Sequence, residues 1–408
     1  MSSGQRRGTL AVILASATLT VMAGAIIGPV VRQIQLGVGV SESLAGLIIT
    51  THGVLIVIVS PIAGLLVDRV GPRRPYVFGL LLYGIGGGAG VFVDSFVPLL
   101  ASRVVLGVGV AFVYTGVTVL LYTLYAGQRM ERALGLRSSA NSAGAAVWPL
   151  VGGALGTLTL QVPLLGTLTW QTPFAVYFVA IPLGLAAIVA IPETEHGGRS
   201  GSTGRTRFER LREFLAVFRD VPAIPAVYLL YFGANLLLYA IVVFYPQLLA
   251  EFGITSSGIV GIYLAVNGAA GGVSAVLYDR LLGLTDRHTL VLAAFALWVG
   301  GLGAATVAAS PLAALVPVVC FGLGLGLVFP SSFAWIEALA PSDRQGSLSS
   351  YLASAGYLGQ FAAPIVFGVV LSLSGIRGVF AGAALAALAA FAIFGFLLVR
   401  REQSGRPS

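Results

Sequence analysis

Apolar and small residues run through this chain in long stretches, with the polar residues clustered between them. A helix crosses the ~30 Å hydrocarbon core of a bilayer in about 20 residues, so a charge-poor run of that length reads as a membrane span. Such runs fall at about 9–31, 43–67, 75–93, 96–126, 133–158 and 170–191. A second set falls at about 222–249, 256–278, 289–309, 312–336, 346–373 and 378–399. Two boundaries lie inside uncharged sequence: "QVPLLGTLTWQTP" breaks the run 138–192, and "AASPL" at 308–312 breaks the run 289–336. The pattern predicts an all-α membrane protein with twelve transmembrane helices. The first apolar run is long and has no plausible cleavage site after it, so it is expected to be span one rather than a secretory leader.

Composition agrees. The chain is 57 % hydrophobic and only 9 % charged, with a mean hydropathy of +0.96; soluble domains carry about a quarter charged residues. The net charge of +8 is therefore assigned to loops facing anionic lipid rather than to nucleic acid. If both termini are cytoplasmic, 20 of the 23 basic residues, all of them arginine, fall in inner segments. Only Arg32 and Arg377 mark outer ends, and Arg103 lies within span four. That asymmetry predicts cytoplasmic termini and a multi-pass protein of the plasma membrane. The single Cys320 excludes an internal disulfide and a paired-thiolate metal site.

The one long polar segment, 192–221, divides six spans from six. Its first part is Gly/Ser/Arg-rich and reads as a linker. In its second part Phe208, Leu211, Leu215 and Phe218 share one face of an amphipathic helix suited to the inner leaflet or to a docking partner. The expected domains are thus 1–191, the linker 192–221 and 222–408. The halves repeat. "SPIAGLLVDR" ending at Arg69 aligns with "AGGVSAVLYDR" ending at Arg280, and "ERALGLRSSANSAG" at 131–144 aligns with "DRQGSLSSYLASAG" at 343–356. The offsets are nearly equal, and an even number of spans per half makes the repeat parallel. The expectation is two pseudo-symmetric six-helix bundles, with a binding site near the midplane between them.

The loop "GLLVDRVGPRR" then resembles the signature loop of the major facilitator superfamily, with Gly64, Leu66, Asp68, Arg69, Gly71 and Arg73 matching and Pro72 in place of a basic residue. "YDR" at 278–280 is similar to its degenerate copy. "RVVLGVGVA" from Arg103 resembles the family's span-four pattern. "GAAVWPLVGG" resembles the span-five pattern of drug–proton antiporters at Gly144, Pro149, Gly152 and Gly153, with Trp148 where a glycine is expected. The resemblance implies a secondary transporter working by alternating access, and the span-five pattern implies export. Asp68, Arg69, Arg73, Asp279 and Arg280, with Gly64 and Gly71, would form an inner gate latch that holds the outward-open state; the alternative is that these charges only enforce topology.

Ionisable residues inside the membrane are functional candidates by default. His52 and Arg103 lie deep in the first half's spans, about nine and seven residues in from their outer ends. His52 can titrate near neutral pH, whereas a guanidinium keeps its charge and needs a carbonyl, a water or an anion. They are the candidates for proton or anion coupling. No Asp or Glu lies well inside a span, which argues against a cation held by a buried carboxylate. Tyr231, Asn235 and Tyr239 share a face of span seven; with Asn141, Asn267, Tyr357 and Gln360 they are candidates to line the cavity or to bond helix to helix. Proton-coupled export of amphipathic compounds is the leading expectation. Uptake or exchange of an organic anion at Arg103 is the alternative. The three histidines lie in separate regions without an HExxH or nucleophile motif, so no enzyme activity, cofactor or metal is expected. The expected partners are a small-molecule substrate and the lipid bilayer, with no nucleic acid, and a monomer suffices.

Overall fold

The computed structural model describes residues 3–163, 166–193, 221, 223–341 and 345–404. Helices α1 (Ser3–Ala25) and α2 (Val31–Val38) are joined through a 3-10 turn at Gly28–Val30. They are followed by α3 (Glu42–Val70), α4 (Arg73–Gly88), α5 (Phe96–Leu124) and α6 (Gln128–Leu155). A two-stranded hairpin, β1 (Leu160–Val162) against β2 (Gly166–Leu168), then pairs Leu160 with Leu168. The sequence showed only a break there. A 3-10 segment Thr172–Val179 runs into α7 (Ala180–Ala190). The second half holds α8 (Ala223–Glu251), α9 (Ser257–Leu282), α10 (Arg287–Val307), α11 (Leu315–Leu339) and α12 (Gln345–Ser404). The amphipathic segment 208–218 lies outside the described residues.

Ten helical stretches among the described residues are long and apolar enough to cross a membrane. α6 is not among them, because its first half carries Arg129, Arg132, Arg137 and a run of Ser and Asn. The longest stretch, Leu348–Phe396, counts as one, yet it bends at Gly375, where φ is 71° and ψ is −177°. Only glycine takes up that backbone without strain, so α12 is two arms joined at a hinge. Both arms coincide with expected runs.

Turns alternate between two faces. One face carries Ser41, the hairpin, Ser256 and Gly375; the other carries Gly71, Gly127 and Asp286. On the Ser41 face Arg377 gathers three elements: it donates to the carbonyls of Thr306 (2.9 Å) and Ala308 (3.0 Å) and pairs with Glu251 at 2.9 Å. This satisfies the free carbonyls at the end of α10 with a cation, as a helix C-terminus favours. On the opposite face Asp286 caps α10, accepting from the backbone N–H groups of His288 (2.7 Å) and Thr289 (3.0 Å).

Helices of the first half pack chiefly on one another, α4 on α5, α3 on α5 and α1 on α6; in the second half α8 packs on α12 and α10 on α11. Two seams join the halves, α6 against α9 and α3 against α12. Both are tight near the Ser41 face. A Cβ added at Gly153 would come within 2.5 Å of the Ser257 carbonyl, and one at Gly261 within 2.5 Å of the Pro149 carbonyl. Ser257 also donates to the Gly153 carbonyl at 3.0 Å. Along the second seam Gly368 abuts Ser43, Gly46 abuts Pro364 and Gly53 abuts Tyr357. Toward the Asp68 face the closeness ends: Gly64, Gly135 and Gly272 have no atom within 4 Å of an added Cβ. The contacts between the halves are close on the Ser41 side, while these three glycines toward the Asp68 side meet no neighbour.

Candidate functional site

Toward the Asp68 side, half-buried rings of both halves gather in one region, the chamber. Tyr114 of α5 meets Tyr357 of α12 edge to face across the halves, with centroids 5.9 Å apart. Tyr231 of α8 packs against Phe329 (5.0 Å) and Phe333 (5.5 Å) of α11. Tyr114, Tyr231 and Tyr239 all stand close enough to Tyr357 to interact with it electrostatically, as does Arg137. Tyr114, Tyr231 and Tyr357 are half-buried, Tyr239 is buried, and Tyr122 two turns nearer the Asp68 face is exposed.

Polar groups hold this wall. Asn235 donates to the Tyr231 carbonyl (2.9 Å) and accepts from Gln360 (3.0 Å), tying α8 to α12. The buried Gln360 Oε1 and Asn141 Oδ1 have no partner among the described residues. A buried polar atom without a partner costs about 1–3 kcal/mol, so such atoms are placed to meet water or a ligand. Of the candidates for the cavity, the structure brings together Tyr231, Asn235, Tyr239, Tyr357 and Gln360; Asn141 lies on α6 and makes no hydrogen bond to them. It does not bring Asn267, which donates to the Val318 carbonyl at 2.9 Å and staples α9 to α11 within the second half.

His52 lies toward the close-packed Ser41 side. Its Nδ1 sits 2.7 Å from the Ile49 carbonyl. Its ring and the Tyr239 hydroxyl both border Gly24 of α1, where an added Cβ would lie 3.0 Å from His52 Cε1 and 2.9 Å from the Tyr239 oxygen. Arg103 stands close enough to His52 to interact with it electrostatically. It is wholly buried inside the first half, donates to the Gly87 carbonyl at 2.7 Å, and stacks over Phe174 (4.8 Å) and Tyr177 (5.0 Å). Carbonyl and rings thus engage part of the guanidinium, while its Nη1 is buried without a hydrogen-bond partner among the described residues.

The charges of the signature loop do not pair across the halves among the described residues. Asp68, Arg69, Asp279 and Arg280 are exposed and form no ion pair among the described residues. Gly71 ends α3 with φ 80°. Arg73 turns away from the other half to Glu193 at 3.3 Å and to the Ile188 carbonyl at the end of α7. In the span-five pattern Pro149 is buried inside α6, and its carbonyl and Gly153 form the α9 seam. Gly152 makes the approach to α1, with the Ile26 carbonyl filling the space of a Cβ. Gly144 does not touch another helix backbone: the Trp148 ring covers it and donates to the Thr18 carbonyl at 3.1 Å. A large ring is tolerated there because close approach is made elsewhere.

Sequence reasoning missed Tyr114, Thr118, Phe329 and Phe333. The spacing of Tyr114, Thr118 and Tyr122 by four was a usable signal for one helix face.

A family model described as Major Facilitator Superfamily matches residues 13–364. The chain belongs to the major facilitator superfamily. It is a multi-pass membrane transporter and not an enzyme. Multidrug resistance protein 1 of Bacillus subtilis is 25 % identical over 380 residues, covering 90 % of each chain. The Bacillibactin exporter of the same organism is 25 % identical over 365 residues, covering 84 % of this chain and 85 % of its own. Among solved structures, a bacterial homologue of the human lysosomal transporter Spinster in an inward-facing, unoccupied conformation superposes with a TM-score of 0.82 at 17 % identity over 100 % of both chains. The D-xylose–proton symporter follows at 0.76 and 17 %, covering 94 % of this chain and 96 % of its own. At such identities the structural likeness supports the superfamily fold alone.

Proposed function

We propose that this superfamily member exports small aromatic, amphipathic compounds by alternating access, driven by proton uptake. The observation that carries the reading is the tyrosine-lined chamber on the Asp68 side of the close contacts between the halves. Rings with polar tips suit ligands that are partly apolar and partly hydrogen-bonding. The exporter names of two relatives support the direction. Twelve spans follow if α6 and both arms of α12 cross the bilayer, giving two six-helix bundles related by the repeat. The arginine asymmetry puts the Asp68 face and both termini in the cytoplasm, which makes this conformation inward-open. His52, at the sealed junction with Tyr239, is the proton carrier in this reading.

The test is flux. Purified protein in liposomes with an internal pH dye is given a pH gradient and a panel of lipophilic cations, neutral aromatics and aromatic anions. Substrate-dependent proton movement that His52→Gln abolishes is the expected result. Exchange without proton movement overturns the coupling, and indifference to every aromatic compound overturns the substrate class.

In the outward-open state the inner ends must close, and the repeat places Asp68–Arg69 and Asp279–Arg280 to latch them. Asp68→Asn is expected to keep normal expression and lose at least tenfold in transport rate. Normal transport in that variant reduces the loop charges to topology signals.

A further inference from the structure

Arg137 is the cation that the chamber retains. It projects from α6 one turn before Asn141, on the same face. Its Nη1 donates to the Thr118 hydroxyl at 3.0 Å, and that hydroxyl in turn donates to the Tyr114 carbonyl at 3.0 Å. Its guanidinium carbon lies 5.4 Å over the Tyr114 ring, and Tyr357 stands near. The side chain is half-buried, and among the described residues no carboxylate pairs with it. A guanidinium has five N–H donors in a fixed planar fork, and the hydroxyl occupies one. Ring and hydroxyl orient the fork without neutralising it.

Asn141 adds a second observation. Its Oδ1 is buried with no partner, and it follows Arg137 by one turn on the same face of α6. An amide can turn to present its N–H₂ instead, and beside a guanidinium it would then supply further donors to the same acceptor. Arg103, which the sequence offered as the anion-binding group, is 0 % exposed within the first half, whereas Arg137 is half-buried beside Tyr114, where a ligand can reach it.

We infer that Arg137, with Thr118 and Asn141, forms an anion subsite, so that the transported compounds carry an acidic group on an aromatic frame. The inference rests on the aromatic-export reading and narrows it. The acidic group, a carboxylate or a sulfonate, takes the free edge of the fork, where planar bidentate pairing is strongest. The ring lies among Tyr114, Tyr231 and Tyr357. The Arg73–Glu193 pair shows the opposite arrangement on the Asp68 face, a cation already matched by an acid of this chain.

Three probes of one shape separate the terms: 2-naphthoate, 2-naphthamide and 2-naphthylmethylamine. Their affinities for the purified full chain are read from quenching of its four tryptophans. The expected result is naphthoate bound at least tenfold more tightly than the amide, and the amine most weakly. Arg137→Gln should cost naphthoate at least tenfold and the amide less than twofold. Arg137→Lys should restore part of the preference. Arg132→Gln, which removes an exposed cation from the same helix, should change neither ratio, so a general charge effect is separable. A thermal melt of Arg137→Gln within a few degrees of the parent confirms folding. Equal affinity for naphthoate and amide, or an equal loss of both in Arg137→Gln, overturns the subsite and leaves aromatic export standing. No binding of any probe by the parent overturns both readings.

Discussion

Gly153→Val disables transport by prising open the sealed face. The nearest atoms to an added Cβ are the Ser257 carbonyl at 2.5 Å and the Gly261 Cα at 3.0 Å. Both are backbone, so no side chain can swing aside, and the hydrogen bond from Ser257 to the Gly153 carbonyl is strained by the same movement. Forcing extra methyl groups into a packed contact costs about 1–3 kcal/mol. Here that cost falls on a seam between halves rather than within one. It therefore bears on the conformation in which the Ser41 face is shut and spares the one in which it parts. A shift of ~2 kcal/mol changes the ratio of two conformations roughly 30-fold, enough to strand a transporter that must visit both. Labelling reads it directly. Leu264 is 5 % exposed and lies in the junction, 3.2 Å from the Cβ position of Gly28. With Cys320 replaced by Ser, Leu264→Cys should react slowly with an impermeant maleimide in the parent and at least tenfold faster with Gly153→Val. Unchanged labelling together with normal transport would mean the seam gives way without cost and is no gate.

Much of this design was legible in sequence because membrane helices advertise themselves. A run of about 20 apolar residues has few alternatives in a bilayer, and the repeat spanning Arg69 and Arg280 is what makes two halves the expectation. The failures are instructive for the same reason. The hairpin at 160–168 has no long apolar signal, only three-residue strands with Gly166 at φ 77° in the turn. The chamber was half legible. Tyr231, Asn235 and Tyr239 share a face at spacing four, but nothing in linear order says that Tyr114 meets Tyr357. That contact belongs to the packing of the halves. Asn267 follows the same polar-in-helix rule as Asn235 and ends up as a staple inside one half. Arg137 was counted only among the arginines that orient the chain, since a cation one turn inside a helix end reads equally as an anchor.

Arg103→Ala is expected to fail at folding before it fails at transport. The sequence offered Arg103 as a group that meets the transported molecule, because a buried cation is costly unless paired. Its surroundings give another account. The side chain is 0 % exposed, one N–H ends on the Gly87 carbonyl, and its guanidinium lies over both Phe174 and Tyr177. It thereby joins α4, α5 and the 3-10 segment before α7. Truncation removes a hydrogen bond to a charged group, worth about 1.5–3 kcal/mol, together with two cation–π contacts of about 0.5–2 kcal/mol each, and opens a cavity. The sum is at least ~3 kcal/mol, large against the total stability of a typical protein. Purified Arg103→Ala should therefore show a much lower yield and an unfolding midpoint several degrees below the parent. Arg103→Lys should fall between, since an ammonium keeps the charge but not the planar stack. If Arg103→Ala instead folds and melts like the parent while transport is lost, the shell of carbonyl and rings is incidental. Arg103 then returns to the transport path, and the anion site moves from Arg137 to Arg103.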